Sequence, residues 1–153
     1  MEIVSYKKEY TTAFKALNIN WLEKYFYVET NDKEVLSNPK DFILDPGGHI
    51  FFALDGDIIA GTVALIPMSD GILELSKMAV DPAYQGKGIG QELMAHCIAF
   101  AKAKNLPKLI LYSNTKLENA IYIYRKWGFV EIPLEADNIY ERSNIKMEID
   151  LKK

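Results

Sequence analysis

Cysteine is almost missing from this sequence. The single one, Cys97, excludes an intrachain disulfide and a metal cluster built on thiolates. Histidine is nearly as scarce: His49 opens a strand pattern and His96 lies in a helix pattern, so no metal site is expected. No apolar run is long enough to span a bilayer, and the N-terminal MEIVSYKKEY has no apolar signal core, so no membrane partner is expected. There is no basic block and the net charge is -3, which argues against nucleic acid as a partner. Repeats, low-complexity runs and linkers are absent as well, leaving one domain over residues 1–153 as the expectation. The lone thiol fits a reducing compartment, the cytoplasm. Apolar content of 49% with 25% charged residues is enough for a sizeable core.

The chemistry gathers in ELSKMAVDPAYQGKGIG, residues 74–90. Leu75, Met78 and Val80 belong to a half-apolar strand, which Asp81-Pro82 ends because proline cannot continue a ladder. Gly86, Gly88 and Gly90 then let backbone approach a ligand closely. The helix that follows turns its first free N–H groups into the loop, which suits a phosphate or pyrophosphate. A triphosphate P-loop needs Gly-Lys-Ser/Thr at its end, but Gln91-Glu92 follows Gly90. A dinucleotide fold needs Gly-x-Gly-x-x-Gly and a later acidic residue; the spacing here is Gly-x-Gly-x-Gly, and the next strand ends in Ser113-Asn114.

Along the chain, residues 2–6 read as a strand and a helix follows from Tyr10, with Phe14, Leu17 and Trp21 at helical spacing. Asn31-Asp32 is placed to cap a second short helix. Strands at 49–54, 57–66 and 71–80 form an antiparallel meander with turns at Asp55-Gly56 and Asp70-Gly71. A helix from 88 to 104 carries Leu93, Met94, Cys97, Ile98 and Ala101 on one stripe, so Cys97 reads as a buried, inert thiol. The strand at 108–113 follows through that helix and should lie parallel to the preceding one. A helix at 117–127, stopped by Gly128, and strands at 129–132 and 144–151 complete the chain.

Two motifs carry a resemblance. Gln85-x-x-Gly88-x-Gly90, preceded by Met78-Ala79-Val80, resembles the acetyl-CoA pyrophosphate loop of the GNAT superfamily of N-acetyltransferases. Ala120-Ile121-x-x-Tyr124-x-x-x-Gly128-Phe129 resembles that family's following helix and strand, at the expected distance. The resemblance implies an α/β fold: a mixed, mostly antiparallel sheet of six to seven strands, splayed between the strands ending at Val80 and Ser113 and flanked by about four helices. It also implies acetyl-CoA as the cofactor. The pantetheine arm would bond backbone at Met78 and Val80, beside Ala79. The pyrophosphate would take N–H groups from Gln85, Gly86, Lys87, Gly88, Ile89 and Gly90, with the Lys87 charge either at a phosphate or in solvent. Where many members carry an asparagine before this helix the chain has Leu117, so Asn114 or Asn119 is the candidate substitute.

Acetyl transfer needs a deprotonated amine and a proton for the leaving thiolate. The resemblance places Tyr124 as the general acid and Glu74 as the general base, acting directly or through water. By strand parity Glu74 shares a face with Met78 and Val80, unless a bulge intervenes. The acceptor, a primary amine of a small molecule or peptide, would meet Trp21, Tyr25, Phe26 and Glu29, together with Tyr140 and Arg142. The planar fork of Arg142 suits an acceptor carboxylate or phosphate, or else a surface salt bridge. Attack would be direct, in a ternary complex. The alternative is a non-catalytic acyl-CoA sensor on the same fold. Exposed strand edges near the C-terminus suggest a homodimer.

Overall fold

A computed structural model of the chain describes residues 1–138 and 140–152. Its strands are β1 (Glu2–Ser5), β2 (His49–Asp55), β3 (Ile58–Pro67), β4 (Leu73–Val80), β5 (Lys108–Ser113), β6 (Val130–Ile132) and β7 (Ile145–Asp150). They form one sheet in the order β1-β2-β3-β4-β5-β7-β6. Its longer helices are α1 (Thr11–Tyr25), α2 (Thr30–Ser37), α3 (Ile89–Ala103) and α4 (Glu118–Trp127).

The sheet is covered on both faces, and the sequence shows why. Strand β2 reads His-Ile-Phe-Phe-Ala-Leu-Asp, a run without polar alternation, as expected for a strand buried on both sides. Ile50 and Phe52 join Phe14, Leu22 and Leu36 in the layer of α1 and α2. Phe51 and Ala53 point the other way and join Leu93, Met94 and Cys97 of α3. Cys97 is fully buried, and burial pushes its thiol pKa up, so it is the inert thiol expected from the apolar stripe.

Helix α3 lies close on the sheet because Gly61 of β3 leaves room for it. A Cβ there would meet Ile89 at 3.2 Å and Leu93 at 3.3 Å. Gly61→Val therefore overpacks the start of α3 and is expected to destabilise the fold by about 1–3 kcal/mol. A urea melt measures it, and an unchanged midpoint would show that α3 is free to move away.

Two details depart from the sequence reading. The N-cap of α2 is Glu29, not Asn31 or Asp32; Asp32 sits inside the first turn, where its carboxylate accepts the Glu29 N–H at 3.0 Å. Strand β4 also carries a bulge. Between the pairs Thr62–Ala79 and Ala64–Ser76, β3 advances two residues while β4 advances three. Lys77, at φ +53°, absorbs the extra residue in a left-handed conformation. The bulge overturns the parity argument for Glu74. Leu73, Leu75, Met78 and Val80 pack on the α3 side, so Glu74 belongs to the opposite face, towards α1.

Strands β4 and β5 are parallel, as expected, and they pair only at Leu73–Leu109 and Glu74–Ile110. Beyond Glu74 the two strands part. The β5-facing edge of β4 then has no strand partner as far as Val80, among the described residues. This is the splay between the strands ending at Val80 and Ser113.

Candidate active site

The splay opens a cavity of about 340 Å³ that passes from one face of the sheet to the other. On the α3 side its wall is Met78, Val80, residues 84–86 and 88–90, Leu117 at the N-cap of α4, and Ala120 and Tyr124 of α4. On the α1 side the wall is Asn18, Trp21, Leu22 and Phe26, with Glu74, Ser76, Lys77, Tyr140 and Arg142. Glu74 stands where the strands part, so the bulge gives each wall its own side chains.

The glycine loop is shaped by backbone. Gly86 and Gly88 hold φ +80° and +78°, conformations that L side chains rarely adopt, and Gly88 is the N-cap of α3. A helix N-terminus behind left-handed glycines is a cradle for an anion. Gly90 faces the sulfur of Met78, 3.6 Å from where a Cβ would stand. The ammonium of Lys87 lies 5.3 Å from the Tyr84 ring centre, and its side chain is not part of the cavity wall.

Tyr124 projects from α4 into the wall, with its ring 6.0 Å from that of Phe129. Burial pushes its hydroxyl pKa above the ordinary value of 10.0, so the phenol stays protonated at neutral pH. Among the described residues the hydroxyl has no hydrogen-bond partner.

Glu74 is buried, and burial raises its carboxyl above the usual carboxylate range. The Lys77 charge, the hydrogen bond from Tyr140 and the Arg142 charge oppose that shift without cancelling it. The Tyr140 hydroxyl donates to Glu74 Oε1 at 3.5 Å. The Tyr140 ring lies 4.9 Å from Lys77 Nζ and 4.7 Å from the Arg142 guanidinium carbon.

Behind these groups is a buried ion cluster. Lys77 Nζ donates to Asp32 Oδ1 at 2.8 Å; Arg142 donates to Asp32 at 2.6 and 3.0 Å and to Glu29 at 2.8 Å. Burial alone would raise the Asp32 carboxyl, but hydrogen bonds and charge from Arg142 and Lys77 hold it below its usual value. The cluster ties α2, the bulge and the segment before β7 together. Glu29 reinforces it by accepting the backbone N–H of Glu141 at 3.0 Å.

The predicted residues thus divide. Met78, Ala79, Val80, Gln85, Gly86, Gly88, Ile89, Gly90, Asn114, Tyr124, Glu74, Trp21, Phe26, Tyr140 and Arg142 all meet at the cavity. Asn119 does not: it is exposed on the outer side of α4. Asn114 reaches the wall, but its amide donates to the Arg142 carbonyl at 2.8 Å and accepts the Lys116 N–H at 2.9 Å. Tyr25 is not on the wall; its ring packs at a tilt against Trp21, with ring centres 5.3 Å apart. Glu29 is an ion-pair partner rather than a wall residue, and the cation it receives is Arg142. The Arg142 fork, read as a receptor for an acceptor anion, is engaged within the chain. Sequence reasoning missed Asn18, Lys77 and Asp32. Asn18 was findable, as a polar residue on the Phe14–Leu22 stripe; Asp32 and Lys77 are 45 positions apart and carry no local signal.

The splayed sheet thus holds one cavity with left-handed glycines and a helix N-terminus on its wall, together with a phenol, Tyr124, and a carboxylate, Glu74. The chain belongs to the acetyltransferase (GNAT) family, whose model matches residues 15–129. It is 29% identical over 85 residues to the mycothiol acetyltransferase of Streptomyces avermitilis, covering 56% of this chain and 28% of that protein. It is 27% identical over 105 residues to human N-acetylaspartate synthetase, covering 67% and 35%. The chain therefore spans about a third of the length of these relatives. In fold it is similar to an acetyltransferase of the GNAT family from Staphylococcus aureus Mu50, with TM-score 0.86, 24% identity and 98% of each chain covered.

Proposed function

We propose that this chain is an acetyl-CoA-dependent N-acetyltransferase acting on a primary amine by direct attack in a ternary complex. The observation that carries the reading is the through-sheet cavity, with Tyr124 on one wall and Glu74 on the other. The cofactor fits what the chain offers. The left-handed glycines and the N-terminus of α3 suit the pyrophosphate, and the open edge of β4 suits the amide arm at Met78 and Val80. A spermidine N-acetyltransferase from Vibrio cholerae, similar in fold at TM-score 0.75 and 22% identity over 99% of this chain and 96% of that one, has been solved with CoA and spermine. Acetyl-CoA, when bound, supplies an acetyl group activated as a thioester.

The chain's residues supply the rest. An alkyl ammonium has a pKa of about 10.4, so it must lose a proton before it can attack. Glu74, on the α1 side, takes that proton directly or through water. As the amine nitrogen bonds to the acetyl carbon, its second proton would leave to water, the carbon–sulfur bond would break, and Tyr124 would give its proton to the departing sulfur and recover one from solvent. A backbone N–H near Met78 steadies the charge on the carbonyl oxygen. The same reading places the whole chain in one domain, in the cytoplasm, with the edge strand β6 as the contact of a homodimer.

Calorimetric titration with acetyl-CoA, CoA and ATP, followed by thiol release with an amine panel, tests it. CoA-ester binding without ATP binding and turnover of at least one amine are expected. CoA binding with no turnover would leave a sensor instead. Because burial raises the Glu74 carboxyl, the acid limb of kcat/KM should lie above the ordinary Glu value of about 4.3. Activity rises with pH as this group ionises, and Glu74→Gln should abolish the limb.

A further inference from the structure

Five acidic or basic side chains gather at the α1 side of the cavity: Glu74, Lys77 and Arg142 on its wall and Glu29 and Asp32 behind them. The two cations are matched to two of the three carboxylates, Lys77 to Asp32 and Arg142 to Asp32 and Glu29. The Lys77–Asp32 pair is buried and the Arg142 pairs are part-buried, with side-chain exposures of 3% for Lys77, 0% for Asp32, 13% for Arg142 and 10% for Glu29. Glu74 is the carboxylate left over. Its close partner is the Tyr140 hydroxyl, and among the described residues no cation lies within ion-pair distance of it. The adjoining wall is Trp21, Leu22 and Phe26, with the neutral amide of Asn18. Lys116 stands at the Phe26 ring, 4.0 Å from its centre, but it is exposed and donates to the Tyr25 carbonyl.

We infer that the acceptor pocket selects a cationic amine whose adjoining carbon body is uncharged and apolar or aromatic, and that it rejects amines bearing a carboxylate or phosphate beside the amino group. An ammonium supplies the one positive charge the cluster lacks. An anion would meet Glu74 while finding Lys77 and Arg142 already paired, so its own desolvation would go uncompensated. The aromatic wall gives the body of such an amine a flat apolar surface and the cation a ring face. This replaces the expectation of an anionic acceptor, which required a free Arg142 fork. The inference rests on the acyl-transfer reading for its view of what occupies the α1 side.

The test is a matched pair, phenethylamine and phenylalanine, with phosphoethanolamine as a third probe. Each is titrated calorimetrically into the CoA-saturated protein and assayed for thiol release with acetyl-CoA. Phenethylamine is expected to bind about 100-fold tighter than phenylalanine, and Glu74→Gln to cut that preference to under about 10-fold. Equal or tighter binding of phenylalanine or phosphoethanolamine overturns the inference, as does binding of none of the three. A clear binding preference without thiol release supports this acceptor class and removes the catalytic reading. Equal turnover of phenethylamine and phenylalanine does the reverse.

Discussion

Asp32→Ala is expected to cost about 3–5 kcal/mol of stability and to lower Tm by about 10 °C. The loss is large because Asp32 is the carboxylate shared by two cations, Lys77 and Arg142. Its removal leaves Lys77 buried with no counter-charge and halves the partners of Arg142. A Lys77→Met change in the Asp32→Ala background should recover part of the loss, because an uncharged side chain of similar length has no charge to desolvate. A double-mutant cycle read by urea melts measures this. A cost below about 1 kcal/mol would mean that water reaches the cluster. The pH dependence has a definite sign. The folded pKa of Asp32 is depressed, so its contribution is fully present above the unfolded value of about 3.9 and is lost as pH falls through the lower folded value. Asp32→Ala should lack that part of the acid transition.

Tyr124→Phe is expected to reduce kcat by about 10²- to 10⁴-fold while leaving CoA affinity within about threefold. The phenylalanine keeps the ring and its packing on Phe129, so the acidic proton is what is lost. Stability should hold, since the hydroxyl has no hydrogen-bond partner among the described residues. Single-turnover kinetics separates the outcomes. A slowed acyl-transfer step with unchanged binding assigns the proton to Tyr124. A kcat within twofold of the parent would assign it elsewhere, and water in the cavity would be the donor.

What could be read from the sequence was what is local. The order of strands and helices followed from periodicity and turn residues. The strand over 108–113 falls where expected, and the splay follows from the family resemblance of the two motifs. Gly128 adopts the left-handed conformation that its place at the end of α4 suggested, and Gly88, read as a point of close approach, is left-handed as well. The misses share a cause. Parity along β4 assumed a regular strand, and one extra residue at Lys77 moved Glu74 to the other face. Arg142 and Glu29 looked available because their partners are 110 and 113 positions away respectively. Long-range pairing of charges leaves no periodic trace, whereas glycine loops and apolar stripes do.

The unpaired edge of β4 has a consequence for how the protein would behave in a cell. Among the described residues, folding alone leaves that row of amides and carbonyls without a strand partner between Leu75 and Val80, and acetyl-CoA bound as proposed would complete it much as an eighth strand would. The ladder would then be closed by mass action rather than by covalent sequence. Occupancy at 100 times the dissociation constant adds about 2.7 kcal/mol to the folded state. Resistance to heat and proteolysis would then rise and fall with the carrier's concentration, so that the lifetime of the chain becomes a record of its supply.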